Sequence, residues 1–127
     1  MKAVASHEFY AVAVDEVKNR IHLINRGSWT NAKQVSGWLD DLFAATKLCK
    51  PSFTMLIDWT QSTGILLTDR VGEAQELLMR AGLRKAARLF ERDTFLKFQM
   101  DRVSEKTGFP VESFFDRDEA EAWLDEA

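Results

Sequence analysis

The apolar positions of the chain fall into short blocks whose spacing switches between a period of two and a period of 3.6 residues. Residues 8–14, EFYAVAV, and 20–25, RIHLIN, are rich in β-branched and aromatic side chains and are separated by the mainly polar DEVKN, which predicts an antiparallel hairpin. In TNAKQVSGWLDDLFAATKLCKP, Val35, Trp38, Leu39, Leu42, Phe43 and Thr46 fall on one helical face, with Thr30 as N-cap and Pro51 as the stop. FTMLID then supplies an apolar run of strand length that ends at Asp58. Such a run is expected of a central strand covered on both faces and parallel to its successors.

A helix beginning near Thr68 or Asp69 directs Val71, Ala74, Leu78 and Ala81 inward. Leu77 and Met79 widen the stripe, and Gly82 stands where a left-handed residue would end it. Residues 83–91, LRKAARLFE, are pulled two ways. Their propensity is helical, but Gly82 on one side and a capping signal at Asp93 on the other leave a piece of strand length where a βα repeat wants a strand, and we read them as one. Asp93 caps a helix with Leu96, Met100, Val103 and Thr107 on one face, ended by Gly108 and Pro110. VESFF, 111–115, is a last strand. In DRDEAEAWLDEA, Asp116 precedes Glu119 by the spacing of a capping box, and Ala120, Trp123 and Leu124 form the buried face. The predicted order is ββαβαβαβα over one α/β domain, residues 1–127, with a mixed sheet of about five strands.

Composition narrows the function classes. With 127 residues and 46% hydrophobic side chains, the chain is long enough to bury one core without disulfides or a structural metal. A net charge of -3, from 17 basic and 20 acidic side chains, provides no field to gather nucleic acid or an acidic bilayer. Cys49 is the only cysteine, which excludes an intramolecular disulfide and a cysteine-based zinc cluster and favours a reducing compartment. The N-terminus reaches His7 and Glu8 before any long apolar run, so it does not read as a signal peptide. Charged residues interrupt every window that could span a membrane. A cytoplasmic protein is expected.

The element order, LIDW followed by a hydroxyl-rich stretch, AGLRKAARLF after the second helix, and the ending SFFDRDEAEAWL together resemble the STAS-like (SpoIIAA-like) proteins, whose best-known members are bacterial anti-sigma-factor antagonists. The resemblance covers nearly the whole chain. It implies a mixed sheet with most helices on one face and the first hairpin at one side. In that family an Asp-Ser-Ser-Gly-like motif opens the second helix, and its serine is phosphorylated by a kinase that is also the binding partner. Here the matching positions are Leu67, Thr68, Asp69 and Arg70, so the serine is missing and Thr68 is the hydroxyl that could take a phosphate.

Ligands of open α/β sheets gather beyond the carboxyl ends of the strands, beside helix N-termini. That directs attention to a loop expected over residues 58–69, where Asp58, Thr60, Gln61, Ser62 and Thr63 offer polar contacts, Trp59 an apolar wall, and Thr68 and Asp69 a helix start. Phe95 and Phe98 fall off the buried face of their helix and predict an exposed apolar patch. Catalysis finds no support: His7 and His22 are not spaced with another ligand, and no nucleophile stands beside a base. Arg84, Lys85, Arg88 and Arg92 would make a basic stripe on a helix but scatter on a strand. The expectation is a non-enzymatic, cofactor-free interaction module with a protein partner or a second copy of itself, and no nucleic acid. Its competitor is a carrier of a small apolar or anionic ligand such as a lipid or nucleotide.

Overall fold

A computed structural model describes residues 1–65 and 67–127. Among these, strands β1 (Lys2–Ser6), β2 (Tyr10–Asp15), β3 (Arg20–Trp29), β4 (Phe53–Ile65), β5 (Leu83–Leu89) and β6 (Val111–Phe114) form one six-stranded sheet in sequence order. The first three strands are antiparallel, and β3 to β6 are parallel. Helices α1 (Trp38–Thr46), α2 (Thr68–Arg80) and α3 (Phe95–Thr107) connect the parallel strands, and α4 (Arg117–Asp125) follows β6. Crossovers of one hand between strands laid down in one direction put their helices on one face of the sheet. The large core lies there, built from Val12, Ile21, Leu23, Met55 and Ile57 of the sheet against Leu42, Leu78 and Met100 of the helices.

Helix α4 packs on the opposite face, over the smaller cluster of Leu56, Ala87, Ala120 and Leu124. Polar contacts fix it at three places. Asp116 caps its first turn by accepting from the amides of Asp118 and Glu119. The buried Arg20 donates to Thr54 (2.8 Å), Glu121 (2.9 Å) and Asp125 (2.8 Å). Arg84 and Lys85 donate to carbonyls of the last turn, at Leu124, Glu126 and Trp123, where positive charge complements the helix dipole.

Four expectations need correction. The sheet has six strands, because KAVAS adds β1 at the edge beside β2; a short, largely exposed, alanine-rich edge strand carries almost no alternation to read. The first helix is interrupted: Asn31, not Thr30, caps a 3-10 turn over Ala32–Val35 with Gln34 completing the capping box, and α1 starts afresh after Gly37. The restart centres the buried stripe on Trp38, Leu42, Ala45 and Thr46. Phe43 is left 49% exposed beneath the Lys47 ammonium. Two helix caps differ: α2 is preceded by Leu67 with no side-chain capping bond, so neither Thr68 nor Asp69 caps it, and α3 is preceded by Thr94, likewise without one, so Asp93 does not cap it. Finally, β4 does not end at Asp58 but runs on through most of the expected loop. Residues 83–89 do form a strand, the outcome that the repeat demanded over their helical propensity.

Candidate functional site

The extension of β4 creates the most distinctive feature of the molecule. The β4–β5 ladder stops at Asp58 opposite Leu89, whereas β4 continues to Ile65 with β3 as its only strand neighbour among the described residues. That continued pairing slips register twice, between Ile24 and Arg26 and between Gly27 and Ser28. Gly27 takes φ +69°, a left-handed conformation of the kind that bulges require. Side chains tie the slipped segment together: Ser62 Oγ donates to the Gly27 carbonyl (3.2 Å) and Arg26 Nε to Gln61 Oε1 (3.3 Å).

Where β5 stops, the chain turns through Phe90–Thr94 into α3. A cleft of about 380 Å³ opens between this turn and the β4 extension. Thr60 to Gly64 form one wall and Glu91, Arg92 and Thr94 the other, and the buried Trp59, Phe90 and Leu96 supply its apolar base. Phe95 stands at the rim, 72% exposed, and stacks on the 54% exposed Phe98 with ring centroids 6.1 Å apart and 24° between planes. The Arg102 guanidinium lies 5.8 Å from the Phe98 ring, within cation–π range.

The structure therefore gathers Trp59, Thr60, Ser62 and Thr63 with Phe95 around one cleft, and sets Phe98 beside Phe95. It does not bring in Asp58, Thr68 or Asp69. Successive side chains of a strand point to opposite faces, and Asp58 points toward α4. There it is 5% exposed and accepts from Arg117 Nη2 (2.7 Å), the Thr60 amide (2.8 Å) and Thr60 Oγ1 (2.6 Å), which pins the start of α4. Thr68 and Asp69 sit in the first turn of α2, outside the cleft lining, and the amides of Arg70 and Val71 already bond to the Leu67 carbonyl at 3.1 and 3.4 Å. Sequence reading missed Phe90, Glu91, Arg92, Thr94 and Leu96. The signal was the stretch joining β5 to α3, since it too lies at the carboxyl end of a parallel strand.

Titratable groups elsewhere are engaged locally. Tyr10 donates to Asp41, and burial followed by that carboxylate raises its phenol well above the ordinary range. His22, on the α4 side of β3, is held below the usual histidine value mainly by burial. Burial pushes the Cys49 thiol up, and its Sγ donates to the Ala45 carbonyl at 3.5 Å. Of the four cations weighed as a stripe, Arg84 and Lys85 cap α4, Arg88 enters the core and Arg92 lines the cleft. Among the described residues there is no group of three or more His, Cys, Asp or Glu side chains arranged to hold a metal, and no helix is long and apolar enough to cross a membrane.

No protein-family model matches the chain, and no curated protein matches it. Solved structures do. The chain is similar to an uncharacterised protein of the DUF3478 family with a SpoIIAA-like fold from Shewanella loihica PV-4, at a TM-score of 0.61 and 18% identity, over 94% of this chain and 97% of that one. It is also similar to apo-SiaC from Pseudomonas aeruginosa, at a TM-score of 0.57 and 13% identity, over 89% of this chain and 98% of that one. At such identities the likeness is one of fold, and the fold is the SpoIIAA-like, or STAS-like, one that the element order resembles.

Proposed function

We propose that the chain acts as one STAS-like domain, a non-enzymatic cytoplasmic regulatory module that works through protein contacts at the cleft between the β4 extension and the start of α3. One observation carries this reading: a strand edge without a β5 neighbour and an exposed phenylalanine stack flank the same cleft. An edge of this kind recruits an extended segment of a partner through main-chain hydrogen bonds, and exposed aromatic rings recover free energy when an apolar side chain covers them. The partner is another protein or a second copy of the chain. The reading calls on no cofactor, nucleic acid or bilayer. Without the serine of the antagonist motif, Thr68 in the first turn of α2 is the hydroxyl left to take a phosphate.

The double change Phe95→Ala, Phe98→Ala tests the proposal. It is expected to abolish self-association in analytical ultracentrifugation, or retention of the partner recovered from the protein's own cells, while the circular dichroism spectrum stays unchanged. If neither oligomeric state nor partner changes, the cleft rim is not the contact surface. A second reading rests on the cleft itself, whose volume of about 380 Å³ and buried aromatic base suit a small apolar or anionic ligand. Native mass spectrometry of protein from its own cells separates the two: an added mass that is lost on denaturation supports the carrier, and a mass equal to the bare chain rejects it.

A further inference from the structure

Crossovers between parallel strands fix the direction of the helices they contain. Helices α1 and α2 both run against β3, β4 and β5, so they lie side by side in the same sense. Between them opens a groove of about 650 Å³. Leu39, Phe43 and, where α1 ends, Lys47 line one side, and Glu73, Leu77 and Arg80 of α2 line the other. Steps of three and four residues set each trio on one stripe of its helix. Because the helices are parallel, like ends coincide: Glu73 stands at the N-terminal end of the groove, Phe43 and Leu77 at its middle, and Lys47 with Arg80 at its C-terminal end.

A surface that is acidic at one end, apolar in the middle and basic at the other complements its own reverse. A two-fold axis lying in this face and crossing both helices near Phe43 and Leu77 turns a second copy end for end, so that its Glu73 meets Arg80 and its Arg80 meets Glu73. An axis along the helices would instead gather Lys47 and Arg80 of both copies at one end. Charge therefore selects the antiparallel arrangement. The face also carries no net charge of its own, since Lys47 and Arg80 balance Glu73 and Glu76, although the whole chain stands at -3. Its charges are free to pair across such an axis. Arg80 meets Glu76 of its own helix only at 3.7 Å with its side chain 79% exposed, a contact worth little in solvent, and Glu73 makes no ion pair among the described residues. Phe43, half exposed with the Lys47 ammonium 4.4 Å from its ring centre, supplies apolar surface for a second copy to cover.

We propose that the groove between α1 and α2 is a two-fold contact with a second copy of this chain, centred on Phe43 and Leu77 and held at each end by Glu73 of one copy and Arg80 of the other. It shares no residue with the cleft between the β4 extension and α3, which a dimer of this kind leaves to a different protein. Sedimentation of the full chain tests it. The unaltered chain is expected to be a dimer at micromolar concentration, and a monomer there overturns the proposal. Arg80→Glu and Glu73→Arg, both at exposed positions, are each expected to raise the dimer dissociation constant roughly 100-fold, since each reversal sets like charges together twice across the axis. An equimolar mixture of the two variants is expected to dimerise again, because a mixed pair restores an acid opposite a base at both ends. Dimers that withstand either reversal lie on another surface, and variants that stay apart when mixed do not meet through these residues; both results overturn the proposal. With the copies joined here, Phe95→Ala with Phe98→Ala removes only the retention of another protein and leaves the dimer, whereas loss of the dimer in that variant would place the contact at the cleft instead.

Discussion

The two halves of β4 differ in nearly every physical respect. Residues 53–58 are buried on both faces, pair with β3 and β5, and hold a flush register with β3 from Arg20 opposite Thr54 to Ile24 opposite Asp58. Residues 59–65 keep β3 alone among the described strands, slip register twice and expose Gln61 and Thr63. The same strand thus serves first as the centre of the core and then as one wall of a cleft. The difference arises from β5 stopping at Leu89, since a parallel sheet closes where strands are flanked on both sides and opens where one neighbour ends. The candidate site is a consequence of unequal strand lengths.

The largest expected contrast comes from equal truncations in the two halves. Met55→Ala, at a fully buried position, should cost about 2–5 kcal/mol in urea unfolding, whereas Gln61→Ala, at an exposed one, should stay within about 0.5 kcal/mol. Comparable losses would mean that the extension is as cooperative with the core as the first half. Next, Gly27→Ala tests the slipped register. An added Cβ would meet the Phe9 ring at an ordinary 3.5 Å, so the cost of about 1–2 kcal/mol comes from the left-handed φ rather than a clash. Loss of hydrogen-exchange protection confined to 59–65 would show that the bulge holds the extension in place.

A smaller effect follows from His22, which pairs with Leu56 of the first half and faces Glu121, Asp15, Arg20 and Arg117. Burial lowers its pKa below 6.5, so the unfolded chain takes up a proton at a pH where the folded chain does not. Its contribution to stability is complete above pH of about 6.5, declines as pH falls below that value, and levels off once the folded histidine is protonated. His22→Gln should flatten the thermal midpoint between pH 7.5 and 5 relative to the unaltered chain; an identical slope would show that other groups govern it. The smallest stability change belongs to Phe95→Ala with Phe98→Ala, expected within about 0.5 kcal/mol because both rings are exposed. A large loss there would recast the aromatic stack as part of the core.

Local pattern was enough for the order of strands and α-helices from β2 onward. The period of two in YAVAV and RIHLIN, the inner stripes of α2 and α3, and the carboxylate of Asp116 before α4 are all nearest-neighbour facts that a chain carries wherever it is placed. Tertiary structure decided what depends on residues far apart in sequence. TQSTG has no alternation of its own and extends because β3 offers a bulged partner; had its strand character been legible, the period of two alone would have turned Asp58 and Trp59 to opposite faces. Arg88 reads as a surface cation until β5 takes a place between β4 and β6 and buries it with Asn25. Phe95 reaches the cleft only because β5 ends where it does. Hydrophobic period is written into each segment, whereas which neighbour stops first, and which polar head is trapped beneath a helix, is settled when the segments compete for the same core.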